Sequence, residues 1–250
     1  MRLLVAYDGG GFTGFARQPD RRTVQGELEA ALARLARAPV VTVGAGRTDA
    51  GVHAHGQVVH ADVPARLDPA RVRRALNAAL GPALVVRLAD WAPDGFDARF
   101  SAVRRQYRYR IDDSGDPDPL TRSYVLAWRR PLDLVPMRQA AACLVGEHDF
   151  AAFCRARAGA STTRRLRSLG VRRVRGLVEV RVVADAFCWQ MVRGIVGYLL
   201  AVGDGRRDPA GTAAVLAGRD RAAAGQIAPP HGLVLEKVTY PPALAPPATP

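Results

Sequence analysis

Gly44-Ala45-Gly46-Arg47-Thr48-Asp49-Ala50-Gly51-Val52-His53-Ala54 lies between two apolar runs, residues 40–43 before it and 58–63 after it. Both runs are rich in valine, which suits strands. The segment between them is punctuated by three glycines and reads as a loop joining two strands. Arg47 and Asp49 stand two residues apart, so in extended chain their side chains point to the same side. A charged pair on such a loop is a poor core element and a good way to present a carboxylate to a ligand. The neighbouring guanidinium favours the ionised form of the acid. An oriented carboxylate can serve as nucleophile, base or metal ligand. The spacing alone favours a solvent-exposed ion pair, and the flanking glycines bring the two readings level.

Outward from this loop the pattern alternates between helix and strand. Residues 3–7 form a strand pattern. Thr23 is placed to cap a helix running to Arg37, with Val24, Leu28, Leu32 and Leu35 on one face. Asp68-Pro69 opens a second helix with proline at its first position. Residues 84–88 and 107–111 read as strands. Beyond them lies Asp112-Asp113-Ser114-Gly115-Asp116-Pro117-Asp118-Pro119, which has turn formers and no periodicity. It reads either as a linker or as a long hairpin tip. The second half repeats the mixture. Helices are expected over 135–145, 189–202 and 208–216, and strands over 170–174, 177–183 and 233–240. Short gaps between several strands favour antiparallel pairing. The element order suggests two α+β halves related by duplication, divided as 1–111 and 112–240. A proline-rich tail, 241–250, reads as disordered.

The chain has 250 residues, 48% of them hydrophobic, enough for one large or two small domains. Its formal net charge is +13, carried almost wholly by arginine, since Lys237 is the only lysine. A charge excess of this size favours a polyanionic partner, most commonly nucleic acid. No run of about 18 apolar residues exists, so no membrane span is expected. The N-terminus enters a strand pattern at once, without a signal-peptide layout. Three cysteines, Cys143, Cys154 and Cys188, include no CxxC pair. This argues against a disulfide framework and fits a reducing cytoplasm.

Other constellations carry two readings each. His53, His55 and His60 include an HxH spacing that can aim two imidazoles at a metal. A tightly spaced third ligand is missing, and hydrogen-bonding loop histidines are the reading adopted; no metal is expected. Arg104-Arg105-Gln106-Tyr107-Arg108-Tyr109-Arg110 places tyrosines on one strand face and arginines on the other. That pattern suits bases stacked on rings and phosphates paired with guanidiniums, or a tyrosine core face with a solvated arginine face. Arg164-Arg165-Leu166-Arg167 with Arg172, Arg173 and Arg175 forms a second basic cluster, suited to phosphates or to a solvated strand edge. Arg193 is a lone charge in the apolar stretch 187–197 and needs a partner, either a carboxylate such as Asp49 or a substrate phosphate. No Walker loop, dinucleotide fingerprint, nucleophile elbow or zinc-type CxxC is present. Chemistry on ATP or a nucleotide cofactor therefore lacks support.

Taken in order, these residues resemble the tRNA pseudouridine synthase A family over almost the whole chain. Gly46-Arg47-Thr48-Asp49-Ala50-Gly51-Val52-His53-Ala54 matches the family's GRTDAGVHA signature residue for residue. Tyr7-Asp8-Gly9, Gly14-Phe15-Ala16-Arg17-Gln18 and Thr23-Val24-Gln25 resemble its opening motifs. Phe96-Asp97-Ala98-Arg99-Phe100-Ser101-Ala102, Tyr107-Arg108-Tyr109, Gly146-Glu147-His148-Asp149-Phe150, Met191-Val192-Arg193 and Gly232-Leu233-Val234-Leu235 resemble its later ones. Phe15-Ala16 replaces the usual Trp-Gln, and Gly194 stands where asparagine is common.

The resemblance implies an α+β fold: two ferredoxin-like halves around a continuous, mostly antiparallel sheet with a central cleft. It implies a homodimeric, cytoplasmic isomerase without cofactor. Its substrate would be the tRNA anticodon arm, where uridines 38, 39 and 40 become pseudouridine. Asp49 would be the nucleophile, attacking C1′ or C6 or promoting a glycal route. Tyr107 would stack on the flipped uracil, and Arg47 would hold Asp49 or fill the vacated stem. Arg193 would pair with Asp49, and Leu233 would form the apolar wall. Two other readings compete: a non-catalytic RNA-binding protein on the same scaffold, for which an intact GRTDAGVHA is unneeded, and a metal-dependent hydrolase using Asp49 and the histidines.

Overall fold

The computed structural model describes residues 1–155 and 159–247. The chain forms two compact units, one of residues 1–104 with 234–250 and the other of residues 105–233. In chain order the first unit contributes β1 (Arg2–Tyr7), α1 (Val24–Ala36), β2 (Thr42–Gly44), β3 (His53–Ala61), α2 (Pro69–Leu80) and β4 (Leu84–Asp90). The second holds β5 (Arg104–Asp112), β6 (Leu126–Ala127), α3 (Leu134–Cys143), β7 (Gly146–Asp149), β8 (Thr163–Val174), β9 (Leu177–Ala184), α4 (Met191–Gly203) and α5 (Thr212–Gly218). The strand β10 (Leu233–Thr239) then returns the chain to the first unit. Both units are α+β with mostly antiparallel pairing, as expected.

In the first unit the strand order is β4-β1-β3-β10, with β2 also on β3. β1 is antiparallel to both neighbours, while β10 runs parallel to β3 through Val234↔His53 and Leu235↔Ala54. Alternation along β1 turns Leu3, Val5 and Tyr7 inward. Together with Leu28 and Leu32 of α1 and Leu76 of α2 they belong to the buried core. The caps read from sequence are in place. Thr23 Oγ1 accepts from the Gly26 amide at 3.2 Å, and Asp68 Oδ2 accepts from the Arg71 amide at 2.7 Å. β3 starts five residues before the expected Val58, because its glycine- and histidine-bearing start pairs with β1 and β10. Tertiary pairing overrides weak strand propensity there.

In the second unit the order is β5-β9-β8-β7, with β6 parallel to β5. Arg175 and Gly176, both at positive φ, close the β8–β9 hairpin. Val178, Val180, Val182 and Tyr109 bury one sheet face with Met137 of α3 and Ile195 and Leu199 of α4. α4 starts at Met191 rather than Trp189, since Gln190 is left-handed at φ 63 and cannot continue a helix upstream. Within the expected 208–216 helix, a 3-10 turn over Pro209–Gly211 precedes α5.

Three sequence expectations meet a different outcome. The unit boundary falls at 104/105 rather than at the 112–119 stretch, which holds buried side chains. Asp113 accepts from the Leu132 amide at 2.9 Å and from Arg173 Nη1 and Nη2 at 2.6 and 2.8 Å. Second, Cys154 and Cys188 are joined by a disulfide, with Cα atoms 5.9 Å apart. This corrects the expectation of no disulfide. The 3-10 turn Ala151–Phe153 abuts the start of α4, where Arg155 N donates to Trp189 O at 2.9 Å. That tertiary approach brings together cysteines 34 residues apart. Third, the tail is ordered through Pro242–Leu244, where Arg2 Nη1 donates to Leu244 O at 2.6 Å; residues 248–250 lie outside the described residues.

The Asp113–Arg173 pair gives a stability prediction. The hydrogen bond from Arg173 and the Leu132 amide hold the Asp113 carboxyl below its usual range, against the opposing effect of burial. A depressed folded pKa means the contribution is present above the ordinary carboxylate pKa of about 3.9 and is lost as pH falls through the folded value. Asp113→Asn should cost about 2 kcal/mol at pH 7. In urea melts across pH, the gap between wild type and variant should close below about pH 4.

Candidate active site

The segment between β2 and β3 is held from several sides. Ala45 N donates to Val58 O at 2.8 Å, and Gln57 Nε2 donates to Gly46 O at 2.7 Å. Thr48 is buried; its hydroxyl lies 2.9 Å from Tyr7 Oη, and its carbonyl accepts from Phe15 N at 3.0 Å. Burial pushes the Tyr7 phenol up to about 12, against the opposing hydrogen bonds of Thr48 and Gln57, so at neutral pH it is a protonated strut. Val52 N closes a turn onto Asp49 O at 3.1 Å. On the next residue, His53 Nδ1 accepts from Gly9 N at 3.0 Å.

His53 Nδ1 also lies 3.0 Å from Asp8 Oδ1. The Gly9 amide and the Asp8 carboxylate thus both meet the same ring nitrogen, which holds the imidazole against this turn. Gly9 fits only because it has no side chain: a Cβ there would sit 2.1 Å from Val52 O. Tyr7, Asp8 and Gly9 thus brace the far end of the loop. Sequence reasoning missed this bracing; the only signal for it was the YDG motif.

Within this frame Asp49 is half-buried, Thr48 is buried and Arg47 is exposed. The strut therefore grips the residue between the two charged ones, and the two ends of the RTD triplet differ in exposure. The remaining histidines serve other contacts. His55 Nδ1 lies 3.6 Å from Glu236 Oε2, and His60 Nδ1 accepts from Ala98 N at 3.0 Å. Among the described residues no group of three His, Cys, Asp or Glu side chains could hold a metal ion.

The remaining candidates lie in the second unit. Tyr107 on β5 is 8% exposed, and its ring meets Phe187 edge-on at 5.1 Å. Tyr109, two residues on, is fully buried and donates to Pro229 O at 2.8 Å. Gly232 packs against the Tyr109 ring, and the following Leu233, 4% exposed, donates its N–H to Pro230 O at 2.9 Å. Arg193 sits in the first turn of α4. Its Nε donates to Ala228 O at 2.8 Å, while Ala228 N donates to Arg193 O at 3.0 Å. The lone charge in an apolar helix is thus anchored by a backbone strap, residues 226–230. The strap approaches α4 so closely that a Cβ on Gly197 would lie 1.9 Å from Gln226 O.

The arginine face of β5 is not simply solvated. Arg108, Arg110, Arg172 and Arg181 converge on the buried Glu179 at 3.1, 3.4, 3.4 and 3.4 Å. Burial pushes the Glu179 carboxyl up, but the hydrogen bond from Arg108 and the surrounding guanidiniums hold it below its usual range. A single acid inside Val-Glu-Val-Arg-Val was the sequence signal for this hub, and it went unread.

A family model described as tRNA pseudouridine synthase matches residues 3–101 and 140–241. The chain is 54% identical over 246 residues to tRNA pseudouridine synthase A of Frankia casuarinae, covering 97% of this chain and 89% of that one. It is 51% identical to the protein of the same name from Streptomyces griseus, over 96% of this chain and 88% of that one. With the Brevibacillus brevis protein it shares 42% identity over 96% of this chain and 99% of the relative. The matched ranges include both Asp49 and Arg193, and the chain belongs to the tRNA pseudouridine synthase family.

Proposed function

We propose that this protein isomerises uridine to pseudouridine at positions 38, 39 and 40 of the tRNA anticodon stem-loop, with Asp49 as nucleophile and no cofactor. The observation that carries this reading is the loop itself. The residue before Asp49 is pinned by a buried tyrosine, and the turn after it is closed onto its own carbonyl. A half-buried carboxylate on a fixed loop is the preorganised group that covalent catalysis requires.

The reaction balances within the substrate. The N1–C1′ bond breaks, C5 bonds to C1′, the C5 proton leaves and N1 regains a proton. No electrons are exchanged and no energy donor is consumed. The target base must leave its stack first. Tyr107 stacks on the displaced uracil and assists removal of the C5 proton. Arg47, exposed beside Asp49, fills the vacated space in the stem. Arg193 steadies the carboxylate's charge, and Leu233 gives the apolar wall that excludes water. The protein works as a homodimer in the cytoplasm, and its excess of arginine holds the tRNA backbone.

Tyr107→Phe keeps the ring and removes the hydroxyl. It should slow turnover about 10²-fold with tRNA affinity unchanged, as single-turnover kinetics and filter binding would show. Unchanged turnover would remove the proton role. The whole reading is tested by mapping pseudouridine in tRNA from cells with and without this protein. Loss confined to positions 38–40 supports it, and an unchanged map overturns it.

A further inference from the structure

A cavity of about 230 Å³ opens in the second unit, walled by Trp128, Gly197, Leu200, Arg206, Arg207 and the strap with its approach, residues 224–229. A second, wider depression lies on another side of Trp128 and adds Arg129 and Arg130. The half-buried Trp128 thus borders both, with Arg206 and Arg207 lining the cavity and Arg129, Arg130 and Arg206 the depression. Asp204 answers only one of them, binding Arg206 Nε at 2.8 and 2.9 Å through its two oxygens. Arg206 also lies over the Trp128 ring at 5.6 Å, and Arg207 over the Tyr198 ring at 5.3 Å. Among the described residues no carboxylate pairs with Arg207. Trp128 Nε1 is buried and has no hydrogen-bond acceptor, a state that buried polar groups seldom keep without a ligand or water.

These features call for one chemistry. A free anion would use the guanidiniums but not the indole. An acidic peptide would leave the ring unstacked. A nucleotide uses both the charge and the ring: phosphate on arginine and base on the aromatic face. The position also fits an RNA already held elsewhere on this unit. Gly197, Leu200 and Ala201 lie one to two turns along α4 from Arg193, about 6–12 Å at 1.5 Å per residue. That is about the reach from one nucleotide to the next or next but one.

We propose that this pocket takes an unstacked tRNA nucleotide other than the uridine being isomerised, its phosphate on Arg207 and its base on Trp128. The proposal rests on the tRNA reading above. Because Ala228 both lines the pocket and bonds Arg193, an occupied pocket also fixes the strap that positions that arginine.

The test measures tRNA binding by wild type, Arg207→Gln and Trp128→Phe over a range of salt, with ultraviolet crosslinking of tRNA to wild type followed by peptide mapping. Arg207→Gln should weaken binding about tenfold and lower the salt slope by about one phosphate contact. Trp128→Phe should weaken binding several-fold with the slope unchanged. Wild type should carry a nucleotide adduct on the Trp128 peptide, a readout that does not depend on any variant folding. Wild-type affinity and slope in Arg207→Gln, or a Trp128 peptide without adduct, would overturn the pocket. A wild-type protein that binds no tRNA would instead overturn the tRNA reading.

Discussion

Asp49→Ala should abolish pseudouridine formation while tRNA still binds. The substitution removes the only group assigned a covalent role, and losing a nucleophile costs about 10⁴-fold or more in turnover. Binding should survive because the loop has several fixings besides any made by the Asp49 carboxylate. They run through the Tyr7–Thr48 hydroxyl contact, the Gln57–Gly46 bond and the Gly9–His53 bond. The measurements are product formation on a defined tRNA and affinity by filter binding. Detectable turnover at a tenth of the wild-type rate would remove Asp49 from the nucleophile's role.

A second large effect is expected far from any charged group. Gly9→Ala places a methyl 2.1 Å from Val52 O, and both partners are backbone. Neither can swing aside as a side chain could. The turn must shift at Val52, three residues from Asp49, and the Gly9–His53 bond must lengthen. A displacement near 1 Å at a reacting group costs about 10²-fold. We expect that loss in kcat/KM together with a lowered Tm. Gly10→Ala is the control, since its methyl would meet only the exposed Asp8 carboxylate at 3.2 Å. It should remain near wild type in both measurements. Equal activity in the two variants would mean that the brace does not position Asp49.

What the sequence disclosed and what it hid divide along physical lines. Helix starts were legible because a cap is local: Thr23, and Asp68 with Pro69, announce themselves within four residues. The Asp49 loop was legible because glycines and charges between valine runs are a local conflict. Non-local features were hidden. The glycine- and histidine-bearing start of β3 becomes strand only through its partners. The disulfide joins cysteines whose spacing carries no signal. Asp113 looked like part of a linker because its partners, Arg173 and Leu132, lie 60 and 19 residues away. Of the arginine face, the strand alternation gave the geometry, but its convergence on Glu179 depended on cross-strand register. The strap that anchors Arg193 has no periodicity at all. Its traces were Gly197 and Gly232, each needed where another residue's atoms leave no room for a Cβ.

The central claim is that this chain rearranges uridine at positions 38–40 without any added cofactor. The most direct test is tritium release from tRNA carrying [5-³H]uridine, incubated with the purified protein in a chelator-containing buffer, with the modified positions then mapped. The account predicts release in proportion to pseudouridine at 38–40, and none with Asp49→Ala. Absence of release from wild type, or release arising from other positions, would contradict it.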